Sequence, residues 1–139
     1  MSKLELKWIS ELGKNPPIIA ASCDLNGIWR GKRVPIANLE KVLAEGIRIP
    51  ISASCLDIWG SDLISSPFLF ESGDADGYGL PTGTGPVPFF SNKKDSILIP
   101  LWLFDNKKDI SPIDPRHILN SVCKKYEDLN LYPVIAFEL

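Results

Sequence analysis

The sequence predicts an α+β fold, a small mixed or antiparallel sheet with helices packed on it, and three observations carry that expectation. Asn26-Gly27 lies between two apolar runs and signals a hairpin, since both residues tolerate the positive φ of a two-residue type I′ turn. Apolar and polar residues alternate from Ile47 to Cys55 with the period of a strand. Leu39, Val42 and Leu43, and later Ile118, Val122, Tyr126 and Leu129, recur at helical spacing.

Composition narrows the functional classes. The 139 residues, 45% hydrophobic and 23% charged, suit one globular core. A net charge of -2 gives no long-range field for a nucleic-acid partner, and no apolar run is long enough to span a membrane or act as a secretion signal. A cytoplasmic protein is expected. Cys23, Cys55 and Cys123 are odd in number and fall inside apolar patterns, so they read as small buried hydrophobes rather than a disulfide or metal framework. The single histidine, His117, reads as a surface helix residue.

In chain order, Ser2 and Glu5 fit a capping box that opens a short helix, with Leu6, Ile9 and Leu12 on its apolar face and Gly13 at its end. Pro16-Pro17 lead into the first strand. A two-residue turn at Asn26-Gly27 sets Leu25 opposite Ile28 and puts Asp24 on one face with Trp29 and Arg33, so that Asp24 can pair with Arg33 or Arg30. The basic triplet Arg30, Lys32 and Arg33 reads as a solvated face. A helix from about Ala37 to Glu45 follows and stops at Gly46.

The next strand is the most informative. Ile47, Ile49, Ile51, Ala53 and Cys55 share one parity, and its continuation reaches Asp57. A carboxylate on the apolar side must be partnered, ligated or open onto a site; otherwise the strand ends there and Asp57 is left in water or caps a turn. Both readings stand on the spacing alone.

From Trp59 to Asn92 the pattern dissolves into Gly and Pro, with Phe68 to Phe70 as a short apolar anchor. Asp74-Ala75-Asp76-Gly77 starts like a calcium loop, but Gly85 occupies the position that needs a bidentate Glu. The glycines there have neither dinucleotide nor phosphate-loop spacing. Ser96 to Phe104 is a strongly apolar strand whose Pro100 cannot donate to a ladder, which predicts a sheet edge or a bulge. Asn92-Lys93-Lys94-Asp95 and Asn106-Lys107-Lys108-Asp109 read as turns. Asp114 then caps a helix with Pro115 at its first position, and Tyr132 to Leu139 reads as a strand broken off before its partners, as in a fragment.

This order of elements, with Asp24 to Pro35, Leu56-Asp57-Ile58-Trp59-Gly60, Leu80 to Pro88 and Asp114-Pro115-Arg116 in register, resembles the amino-terminal domain of the glutamine synthetase family. It looks closest to the branch that joins glutamate to amines such as polyamines. The resemblance implies a β-grasp-like domain over residues 1–111, with an amino-terminal helix and a Gly/Pro-rich excursion at 60–92, and an incomplete start of the catalytic domain, a linking helix and first strand, over 112–139. It implies an ATP-dependent glutamate–ammonia or glutamate–amine ligase that forms gamma-glutamyl amides through gamma-glutamyl phosphate. ATP and Mg²⁺ or Mn²⁺ belong to the full-length enzyme, whose active site lies between subunits of a ring homo-oligomer. The isolated chain is expected to be inactive and to hold no cofactor.

By motif position Asp57 looks like the catalytic carboxylate that receives the ammonium or amine cation, and Glu138 looks like the first metal ligand of a Glu-x-Glu pair. The chain reads Asp57-Ile58-Trp59-Gly60 where the ammonia-using pattern is Asp-Gly-Ser-Ser, so Trp59 is either a substrate-binding residue for a bulkier amine or an ordinary core aromatic. The alternative function is a free-standing, non-catalytic β-grasp module that serves assembly or regulation.

Overall fold

The structure, a computed structural model, describes residues 7–71, 73–91 and 94–138. Its elements are α1 (Lys7–Glu11), β1 (Ile18–Cys23), β2 (Trp29–Val34), a 3-10 turn at Ile36–Asn38 running into α2 (Leu39–Glu45), β3 (Ile47–Pro50), a 3-10 segment at Ile51–Cys55, α3 (Pro67–Phe70), β4 (Asp76–Pro81), β5 (Val87–Ser91), β6 (Lys94–Phe104) and α4 (Pro115–Asp128). The predicted capping box at Ser2 and Glu5 lies outside the described residues, as does the start of the turn at Asn92-Lys93.

The strands form a sheet in the order β2-β1-β6-β4-β3, with β5 also paired to β6. Every pairing is antiparallel except β1 with β6. Ile18, Ala20, Ile97, Ile99 and Leu101 share one face of the sheet, and Ile9 of α1 with Leu39 and Val42 of α2 covers them to make the core. This is the α+β architecture the sequence predicts, with a mostly antiparallel sheet and packed helices.

Pro100 sits in the central strand, not at an edge. Its carbonyl accepts the Thr82 N–H at 3.0 Å, and its missing donor falls where β5, paired to residues up to Leu98, has ended and β4, paired from Leu101, begins. The gap between two short partners tolerates what a continuous ladder does not.

The segment expected to be an irregular excursion at 60–92 contains β4 and β5. Beta-4 looks like loop because it is rich in glycine, and packing requires that glycine: a Cβ on Gly77 would stand 2.2 Å from the Phe104 carbonyl, and one on Gly79 would stand 2.8 Å from Leu101 Cδ1.

The strand predicted from Ile47 to Cys55 stops at Pro50, which lacks the N–H to continue the ladder, and residues 51–55 wind into a 3-10 segment. Ser52 and Ser54 are buried there instead of Ile51, Ala53 and Cys55, so the inward parity does not reach Asp57. At the far end, residues 131–138 form no ladder. Tyr132, Val134, Ile135 and Phe137 are exposed, since an apolar strand needs a partner strand and none of the described residues supplies one.

His117 is not a surface residue. Its side chain is 10% exposed and stacks on Trp102 with ring centres 4.5 Å apart, with Phe104 edge-on at 5.2 Å. Trp102 and Phe104 have the opposite parity to the core residues of β6, so the first turn of α4 covers the second face of the sheet.

Candidate functional site

Three loops of this chain are built on one plan. Each begins with Asp, whose Oδ1 accepts the backbone N–H two and four residues on: Asn26 and Ile28 for Asp24, Trp59 and Ser61 for Asp57, Lys107 and Asp109 for Asp105, all at 2.8 to 2.9 Å. In each, the Asp carbonyl also accepts the N–H three residues on, and that third residue has positive φ: Gly27 at 78°, Gly60 at 87° and Lys108 at 69°. This is a three-residue hairpin loop with a bulge, not a two-residue type I′ turn.

The extra residue corrects the first hairpin. Cys23 pairs with Trp29 and Asp24 faces Ile28, one residue away from the expected register. Asp24 therefore shares a face with Ser22, Arg30 and Lys32 rather than with Trp29 and Arg33. Of the two pairings anticipated for Asp24, the one with Arg30 forms, Nε to Oδ2 at 2.8 Å, and it withdraws Arg30 from the solvated basic face. Burial pushes the Asp24 carboxyl up, but hydrogen bonds from Arg30 and from the Ile28 and Asn26 N–H groups outweigh it, aided by the Arg30 charge. Its pKa is held below the ordinary carboxylate value.

The Asp24 and Asp57 loops lock together. Asn26 Nδ2 donates to the Leu56 carbonyl at 2.8 Å, the Leu25 N–H to the Ser54 carbonyl at 3.3 Å, and Arg30 Nη2 to the Asp57 carbonyl at 3.2 Å. Between them opens a cavity of about 470 Å³ lined by Leu25 and Asn26 from one loop and Cys55, Asp57, Trp59 and Leu63 from the other. Asp57 and Trp59 are thus neighbours on one wall, although by loop geometry and not by strand parity. Asp57 Oδ1 is committed to its own loop, whereas Oδ2 takes none of the described hydrogen bonds. Trp59 is 85% exposed at the loop tip, which makes it no core aromatic. An open carboxylate oxygen beside an exposed indole face can hold an organic cation by charge and by its ring.

Glu138 lies in the irregular end, is exposed and is not among the residues lining this cavity. Among the described residues no three His, Cys, Asp or Glu side chains converge as metal ligands. The cysteines form no disulfide. Burial pushes the Cys23 thiol up, with the Asp24 and Asp114 charges adding to that and Arg116 opposing it. Burial alone raises Cys55, so neither is an activated nucleophile. None of the described helices is long and apolar enough to cross a membrane.

The structure brings Asp57 and Trp59, both singled out in the sequence, to one cavity wall, and it shows Arg30 as a link between the loops, which the sequence reading missed. The signal was there: Asp24-Leu25-Asn26-Gly27 and Asp57-Ile58-Trp59-Gly60 share the spacing Asp-x-x-Gly, and the same spacing makes the same loop.

The architecture is shared with glutamine-synthetase-like structures. The chain superposes on a glutamine synthase homologue with a TM-score of 0.69, at 24% identity over 85% of this chain and 28% of that one. It also matches GmaS solved with ADP, TM-score 0.60 at 21% identity, and the glutamine synthetase of Plasmodium falciparum, TM-score 0.55 at 14% identity. Each match covers 93% of this chain but only 26% and 23% of the respective structures. In sequence it is 30% identical over 116 residues to the gamma-glutamylputrescine synthetase PuuA of Escherichia coli K12, which is 84% of this chain and 24% of that protein. No family model matches. In sequence and fold the chain is similar to members of the glutamine synthetase family, and it spans about a quarter of the length of these relatives.

Proposed function

We propose that this chain is the amino-terminal part of an ATP-dependent ligase that joins glutamate to an amine, and that its two joined loops form the amine side of the active site. Residues 1–111 are the small domain, and 112–139 open the catalytic domain. The observation that carries the reading is the coincidence of family and geometry: the residue at the family's amine-binding motif, Asp57, lines a cavity with an oxygen left free beside an exposed tryptophan.

In this role the Asp57 carboxylate attracts the protonated amine, and Oδ2 takes its proton as the nitrogen becomes a nucleophile toward activated glutamate. Trp59 covers the amine's carbon chain, which favours an organic amine over ammonia, in keeping with the relative that is a gamma-glutamylputrescine synthetase. ATP and Mg²⁺ or Mn²⁺ belong to the remainder of the protein, with Glu138 contributing one carboxylate to the metal. The partners are L-glutamate, the amine and neighbouring subunits of a ring, in the cytoplasm.

The test is the native gene product taken from its source cells. A mass several times that of this chain, with phosphate release that depends on glutamate and amine together, supports the reading. A mass equal to this chain's, or a long protein without such turnover, overturns it. A product of this length alone would instead indicate a free-standing interaction module, to which the uncovered apolar residues of α4 would be suited.

A further inference from the structure

We infer that Arg30 is a positioning residue, whose guanidinium braces the Asp57–Ser61 loop against the first hairpin and so sets where the Asp57 carboxylate and the Trp59 ring stand. As a statement about the site it rests on the reading above; as a statement about the loop it does not. Nε grips the Asp24 carboxylate at 2.8 Å while Nη2 reaches the Asp57 carbonyl at 3.2 Å, so one planar group spans both loops. Asp24 is 1% exposed and its Oδ1 is held by two backbone N–H groups, which makes it a fixed anchor. Gly60 leaves room for the guanidinium, since a Cβ there would stand 3.1 Å from Nη1.

The Asp105 loop serves as an internal comparison. It repeats the Asp57 loop bond for bond, yet among the described hydrogen bonds no arginine reaches it from another element. Local geometry alone thus makes a turn, and the brace adds to the Asn26–Leu56 and Leu25–Ser54 bonds the one described contact from the first hairpin to the Asp57 turn itself. Lysine cannot replace arginine here, because a single ammonium does not present two donors in a rigid fork.

The test is amide hydrogen exchange on this chain and its Arg30→Lys variant, comparing the Trp59 and Ser61 amides with those of Lys107 and Asp109. Loss of the brace speeds exchange at Trp59 and Ser61 about tenfold and leaves Lys107 and Asp109 within about twofold. If both loops speed up together, or neither does, the inference is overturned. Should Arg30→Lys not fold, Asp24→Asn weakens the other end of the brace and carries the same comparison. In the full-length protein Arg30→Lys raises the KM for the amine about tenfold while the KM for glutamate holds. If turnover is absent from the full-length protein, the ligase reading fails and the exchange result stands by itself.

Discussion

Asp114 is fully buried and spends both oxygens on backbone: Oδ1 accepts the N–H groups of Arg116 and His117 at 2.9 and 3.4 Å, and Oδ2 that of Leu103 at 2.6 Å. It caps α4 and ties that helix to β6 in one group. Asp114→Ala removes the cap and orphans a buried N–H, and is expected to cost about 3 kcal/mol in urea unfolding. Glycine substitutions separate backbone strain from collision. Gly27 has open space around it, so Gly27→Ala costs about 1 kcal/mol from its positive φ alone. A Cβ on Gly46 would meet the Gly79 carbonyl at 2.1 Å, so Gly46→Ala costs about 3 kcal/mol. Two titrations set the acid limit. Burial lowers the His117 pKa against the opposing pull of Asp114, so the unfolded chain takes that proton first and stability falls as pH drops below about 6.5. The Asp24 pKa is also lowered, so its contribution is full above about 4 and is lost as pH falls below that. A urea midpoint measured against pH therefore declines in two stages, and Asp24→Asn removes the lower one.

Among the elements, those legible in the sequence were the ones whose own residues decide them. Helix α2, the Asp114 cap and the existence of the first hairpin follow from Leu39, Val42 and Gly46, from Asp114-Pro115 and from Asn26-Gly27. What the sequence hid was decided by neighbours. The hairpin register turned on a bulge at Gly27 that the Asn-Gly pair does not reveal, and the glycines of β4 are dictated by Phe104 and Leu101 on the adjacent strand. Asp57 lines the cavity, but not by the strand parity that singled it out, since Pro50 ends that strand. Helix α4 shows the same dependence from the other side. Its stripe of Ile118, Val122, Tyr126 and Leu129 is clear in sequence, yet none of these residues is buried. In this chain Val122→Ala should therefore change stability by less than about 0.5 kcal/mol, whereas Ile99→Ala in the core costs about 3 kcal/mol.

At the scale of the whole molecule, two loops from distant parts of the chain meet at one end of the sheet and leave a carboxylate oxygen beside an exposed indole. The fold that brings them together is shared with glutamine-synthetase-like proteins about four times as long. In the proposed function Asp57 receives the amine. The measurement that tests it most directly is steady-state, amine-dependent phosphate release by the full-length protein carrying Asp57→Asn, which keeps the Oδ1 acceptor for the loop and removes the charge. The expected result is a fall of about a hundredfold or more in kcat/KM for the amine with the KM for glutamate unchanged. Unchanged amine kinetics in a folded Asp57→Asn protein would contradict the claim.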